Sequence, residues 1–120
     1  MYYLTFFLFI LMAIDGPAMA VPSIGDFYAI VNVDLMPSDQ VEGKKILINY
    51  RDEVKQNPNV RFISLIQQKD NASNHFILME TFVSEAGYRR FIESDTVRRF
   101  RTALYPHLGS PWDERLGSQP

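Results

Sequence analysis

The hydrophobic pattern is sharpest between His75 and Phe100, HFILMETFVSEAGYRRFIESDTVRRF, where a strand, a turn and a helix follow one another directly. His75 to Phe82 is rich in large apolar residues and comes after the turn formers Asn71 to Asn74, which predicts a well-buried strand. Period-two alternation puts His75, Ile77, Met79 and Thr81 on one side and Phe76, Leu78, Glu80 and Phe82 on the other. An acid and an aromatic ring therefore share one surface. Ser84 then offers an N-cap oxygen, Glu85 lies in the first turn where the helix dipole favours an anion, and Ala86, Tyr88, Phe91 and Ile92 recur at helical spacing. Ser94-Asp95-Thr96 caps a further stretch of helix in which Val97, Phe100 and Leu104 share a face.

The flanking segments complete the arrangement. Phe27 to Leu35, FYAIVNVDL, predicts a first strand with β-branched residues at Ile30, Val31 and Val33. Pro37 cannot donate to a ladder, and Ser38 or Asp39 can cap a helix from about Asp39 to Gln56, whose apolar stripe is Val41, Leu47, Ile48, Tyr50 and Val54. Gly43 weakens that helix slightly. Asn57-Pro58-Asn59 stops it, and Val60 to Gln68 predicts a strand that pairs with the His75 strand across the polar loop Lys69 to Asn74. Pro106 to Pro111 is a Gly/Pro loop, with Trp112 to Leu116 a short edge strand beyond it. The order β-α-β-β-α-β implies an α+β, ferredoxin-like split βαβ domain, with helices on one face of an antiparallel sheet. Both parities of the Phe27 and His75 strands are apolar, more so than a sheet with one wet face needs. A second copy is therefore expected to cover the bare face, giving a homodimer.

Composition bounds the rest. With 120 residues, 47% hydrophobic and 22% charged, the chain has room for one domain. Its formal charge of -2 offers no basic surface for nucleic-acid phosphates, and the lack of cysteine removes disulfides, thiolate nucleophiles and cysteine-bound metals. The apolar run Tyr2 to Ile14 is too short for a stable membrane span, which needs about 20 residues, but suits the core of a secretory signal. Asp15-Gly16-Pro17 breaks it and Ala18-Met19-Ala20 has small residues where a signal peptidase cuts. The expected organisation is a signal peptide over 1–20 and one domain over 21–120, exported to the periplasm or extracellular space. An uncleaved anchor is the alternative.

The order and spacing of these segments resemble the antibiotic biosynthesis monooxygenase domain of the dimeric α/β-barrel superfamily, from about Phe27 to Leu116. The features are AIVNV in the first strand, the Asn57-Pro58-Asn59 helix stop, Phe76 to Phe82 followed by Ser84-Glu85-Ala86, Ser94 ahead of an apolar helix, and Trp112-Asp113-Glu114-Arg115-Leu116. Glu80-Thr81-Phe82 stands where the family usually has Glu-x-Trp, and Phe91 where many members have His. The resemblance implies oxygenation of an electron-rich quinol-like or polyketide-like aromatic without metal, flavin or other cofactor. The substrate anion, favoured in an apolar pocket between sheet and helices, would reduce O₂ directly. The alternative is a non-catalytic dimer of the same fold that holds a small apolar ligand, haem included.

Candidate site residues follow. Asn32, an amide in the middle of an apolar strand, must find a partner if buried, and its position resembles that of a strand-one Asn used by some members. Either it stabilises a substrate oxygen or it bonds to a neighbouring loop. Glu80 is a candidate base if burial raises its pKa, or else an orienting acceptor or a structural contact at the dimer interface. Phe82, Tyr88 and Phe91 are candidate substrate-binding walls, or plain core. His75 and His107, each near a loop, are either surface histidines with no role or candidates for a base or haem ligand. Arg89, Arg90, Arg98, Arg99 and Arg101 either attract an anionic substrate or partner or form a solvated helix face. No His/carboxylate spacing suits a metal, and no motif suits phosphate or a serine nucleophile.

Overall fold

The computed structural model describes residues 25–120, so the signal-peptide reading lies outside the described residues. Strand β1 (Phe27–Asp34) leads through a 3₁₀ turn at Pro37–Asp39 into helix α1 (Gln40–Val54). Strands β2 (Val60–Gln67) and β3 (His75–Phe82) follow, then helices α2 (Glu85–Ile92) and α3 (Asp95–Leu104) and strand β4 (Asp113–Ser118). The sheet order is β2-β3-β1-β4, antiparallel at every pairing, and the fold is the ferredoxin-like α+β arrangement that the sequence predicts. Among the described residues no helix is long and apolar enough to cross a membrane.

Side-chain oxygens start two of the helices. Ser84 accepts from the Gly87 amide at 2.9 Å and Ser94 from the Val97 amide at 3.4 Å. At α1 the expected side-chain cap is not formed. The Pro37–Asp39 turn takes its place, and the Asp39 carboxylate faces His107 at 3.4 Å instead. The Asn57 side chain accepts from the Asn59 amide after α1, closing the turn into β2.

Register decides what each face of the sheet carries. Ala29, Val31 and Val33 of β1 and Phe76, Leu78, Glu80 and Phe82 of β3 point into the helix layer and are buried. There they meet Leu47, Tyr50 and Val54 of α1, Tyr88 and Phe91 of α2, and Val97, Phe100 and Leu104 of α3. The opposite face carries Ile30 and Asn32, the paired Met79 and Ile77, and Phe62 and Ile66 of β2. Ile30, Phe62, Ile66 and Met79 are exposed there.

Gly43 has a specific packing role. A Cβ at this position would lie 2.6 and 2.7 Å from the two Leu35 methyl groups, and Leu35 itself is fully buried. The glycine lets α1 settle onto the end of β1. Gly43→Ala gains about 1 kcal/mol of helix propensity but forces overpacking that costs about 1–3 kcal/mol. Denaturant titration should show a net loss of stability; a more stable variant would mean that Leu35 has room to move.

Candidate functional site

The helix-side face of β3 brings a carboxyl into the core. Glu80 is 5% exposed and its strand neighbours on the same face are Ala29 of β1 and Ile63 of β2, both buried and apolar. Its carboxyl makes no hydrogen bond among the described residues. Burial is the main reason why its pKa is pushed up to about 8, with the negative charge of Glu114 adding to the rise and Arg101 opposing it. Near neutral pH the group is mostly protonated.

Glu114 comes from β4, where it is paired with Val31 and so faces the helices. Its Oε1 accepts from the Tyr88 hydroxyl and its Oε2 accepts from the Trp112 indole N–H at 3.1 Å. The Arg101 guanidinium lies 3.7 Å from Oε2 and 5.7 Å from the Trp112 ring centroid. Burial, then the bond to Glu114, raises the Tyr88 pKa. Burial, then the charge of Glu80, raises that of Tyr50, which is stacked on Phe100 with ring centroids 3.6 Å apart. Glu80, Glu114, Arg101, Tyr50 and Tyr88 therefore form one electrostatically coupled group between sheet and helices.

The structure divides the residues singled out in the sequence. Glu80 and Tyr88 join this group. Phe82 and Phe91 lie beside it with centroids 5.0 Å apart, 0% and 2% exposed, so they are packed core in this state. Tyr88 packs on Phe82 at 5.1 Å. Asn32, the other candidate catalytic residue, is not brought to Glu80: it is exposed on the opposite face and donates to Asp113 Oδ2 at 3.4 Å. The cause is parity. Asn32 pairs with Ile77 and Glu80 pairs with Ala29, so the sheet itself separates Asn32 from Glu80 within one chain. His75 and His107 face Asp34 and Asp39 at loop ends, each at 3.4 Å.

Glu114, Trp112 and Arg101 are the members that sequence reasoning did not assign to the site. Two signals pointed to them. Trp112 and Glu114 are two residues apart in an extended segment and so share a side. Arg101 follows Val97 by four and precedes Leu104 by three, which places it at the border of the buried stripe rather than on the solvated face. No group of His, Cys, Asp and Glu among the described residues could hold a metal ion.

Glu80 also sets a pH dependence of stability. Its folded pKa is above its ordinary 4.5, so its favourable contribution is complete below pH 4.5 and is lost as pH rises through about 8. Glu80→Gln keeps the shape without the titration. Thermal melts should show the wild type losing stability relative to the variant between pH 5 and pH 9, by on the order of 4 kcal/mol; parallel curves would place the Glu80 carboxyl in water.

Neither a protein-family model nor a curated protein sequence matches the chain. Solved structures do match. A Caulobacter crescentus protein bearing the name antibiotic biosynthesis monooxygenase has a TM-score of 0.72 at 13% identity, covering 80% of this chain and 91% of its own. A Nitrosomonas europaea protein of the same name gives 0.73 at 13%, covering 79% and 90%. An asparagine-to-alanine variant of SnoaB, a cofactor-independent oxygenase from Streptomyces nogalater, gives 0.69 at 12%, covering 79% and 93%. At such identities the likeness concerns the backbone, and the chain has the fold of the antibiotic biosynthesis monooxygenase proteins.

Proposed function

We propose that the protein is a cofactor-independent monooxygenase of a quinol-like or polyketide-like aromatic, with Glu80 as the base that generates the substrate anion. The observation behind this reading is the buried Glu80 carboxyl, with its pKa near 8. A phenolic hydroxyl has a pKa of about 10, so transfer to such a base is uphill by about 3 kcal/mol, against roughly 8 kcal/mol for an ordinary glutamate. The fold shared with SnoaB supports the same chemistry by analogy.

The reaction balances on substrate and O₂ alone. Glu80 takes the hydroxyl proton, and the resulting anion supplies the electrons for a new C–O bond to oxygen at a ring carbon that still bears hydrogen. Loss of that hydrogen as a proton, with cleavage of the O–O bond, leaves a carbonyl and releases the second oxygen as water. Protonated Glu80 is placed to return its proton to the departing oxygen. Arg101, next to Glu80 and Glu114, stabilises negative charge on the way, and Tyr50 and Tyr88 keep the surroundings dry. Asn32, on the far face, has no part in this scheme.

A second reading, a non-catalytic dimer that holds a small apolar ligand, is favoured by one observation. Phe82 and Phe91 close the space beside Glu80, and Tyr50 is stacked directly on Phe100. Haem as that ligand finds no imidazole near Glu80, since both histidines pair with aspartates elsewhere. In either reading the exposed Ile30, Phe62, Ile66 and Met79 face would be covered by a second copy.

Oxygen uptake separates the two readings. With naphthols, quinols and anthrones, the full-length protein should consume O₂ at a rate that rises with pH to a plateau above about 8. Glu80→Gln should lower kcat by about 10²–10⁴, while Asn32→Ala should leave turnover unchanged. Ligand binding without uptake would leave the binding reading standing. For the dimer, light scattering should give twice the chain mass, and Met79→Glu should halve it; a wild-type monomer would contradict the face-to-face assembly.

A further inference from the structure

Arg101 differs from every other arginine among the described residues. Each of the others donates a hydrogen bond to a carboxylate or amide oxygen at 3.3 Å or less. Arg101 donates none. Its ion pair with Glu114 spans 3.7 Å, beyond hydrogen-bond reach, and its Nε–H is buried with no acceptor. The buried Nε–H is closed to solvent, but the partly exposed terminal NH groups also make no hydrogen bond, since their nearest carboxylate oxygen is the Glu114 Oε2 at 3.7 Å, and these are donors that a bound acceptor could use.

A groove lies against the same side chain. It encloses about 470 Å³ along α2 and α3, within the range of about 300–1,000 Å³ typical of small-molecule sites. Ile92, Val97 and Tyr105 supply apolar surface, Arg98 and Arg101 supply cations, and Glu93 adds one negative charge at the rim. Arg98 is already tied to Asp95, which leaves Arg101 as the cation with unused donors. At that end Trp112 sits 6.3 Å from Tyr105, ring centre to ring centre, so the guanidinium is flanked by aromatic rings.

We infer that this groove binds an aromatic carboxylate, its anion held by the Arg101 guanidinium and its ring lying along Ile92, Val97 and Tyr105. The chemistry selects the class. A planar carboxylate matches the planar donor fork of one arginine, whereas a phosphate dianion would call for a second free cation and would be repelled by Glu93. The ring is selected by the flat apolar wall. The inference rests on the oxygenase reading for one step only, which is that the occupant is also the substrate. In that case the substrate is an aromatic hydroxy acid first captured in this groove, which Glu80 does not line, and its ring has to move inward past the core aromatics before Glu80 can take its proton.

Calorimetry on the full-length protein with two matched probes, 2-naphthoate and its neutral amide 2-naphthamide, tests the binding claim without turnover. Naphthoate should bind at least tenfold more tightly, with a preference that shrinks as salt is added. Arg101→Gln should erase the preference, Arg101→Lys should keep part of it, and Arg98→Gln should keep it nearly whole. Trp112 is the only tryptophan of the chain, so its indole N–H resonance gives a wild-type readout that needs no variant, and it should shift with naphthoate. Equal affinity for the two probes, no binding of either, a preference lost through Arg98 rather than Arg101, or an unmoved Trp112 resonance would each overturn the proposal. Naphthoate selectivity combined with no O₂ uptake from any hydroxylated substrate would uphold this site and sink the oxygenase reading, so the two failures are distinguishable.

Discussion

A carboxyl group placed between a sheet and its helices has to be neutralised, and most of what surrounds Glu80 follows from that constraint. An isolated carboxylate in such a place costs several kcal/mol, so the group keeps its proton up to about pH 8. Ala29 and Ile63 make its strand neighbours dry, Arg101 partly compensates its ionised form, and Glu114 works against it. Glu114 in turn needs the Tyr88 and Trp112 donors; the Tyr88 bond ties the edge strand β4 to α2, and the Trp112 ring packs on Phe100 of α3. The buried charge and the placement of the last strand are one problem with one solution.

The two faces of the sheet divide the work. The helix-side face holds the titratable cluster, where the low polarisability of the surroundings strengthens every electrostatic interaction. The opposite face is apolar and bare, with Asn32 and its bond to Asp113 as a polar interruption. A second copy laid against it would remove Ile30, Phe62, Ile66 and Met79 from water without touching Glu80.

The parts of the fold that were legible in the sequence are those with local causes. Ser84 and Ser94 are caps because their side chains reach the next amides, and the Asn57-Pro58-Asn59 stop works through its own turn. Alternation along β3 correctly grouped Glu80 with Phe82. It failed to orient Asn32, because both parities of FYAIVNVDL are apolar and only the pairing of β1 with β3 fixes which side meets the helices. Arg101 was grouped with a solvated arginine face because neighbouring positions Arg98 and Arg99 are indeed solvated and paired. Glu114 was placed in the short edge strand Trp112 to Leu116 but given no role there. Its contact with Trp112 is local, but its role also depends on Tyr88 meeting it across the fold, a tertiary coincidence that no local rule contains.

The proposed chemistry asks more of Glu80 than burial alone. The carboxyl must be neutral when the site is dry and basic enough to accept a proton from a hydroxyl, and both demands are met by the same raised pKa. The filled aromatic surroundings imply that Phe82, Phe91 or the Tyr50–Phe100 pair would have to shift to admit a ring beside it. The most direct measurement is a carbon-13 NMR titration of the Glu80 side-chain carboxyl in the full-length protein, assigned with Glu80→Gln. A midpoint near pH 8 is expected. A midpoint in the ordinary glutamate range, near 4.5, would show that Glu80 is neither desolvated nor poised as a base.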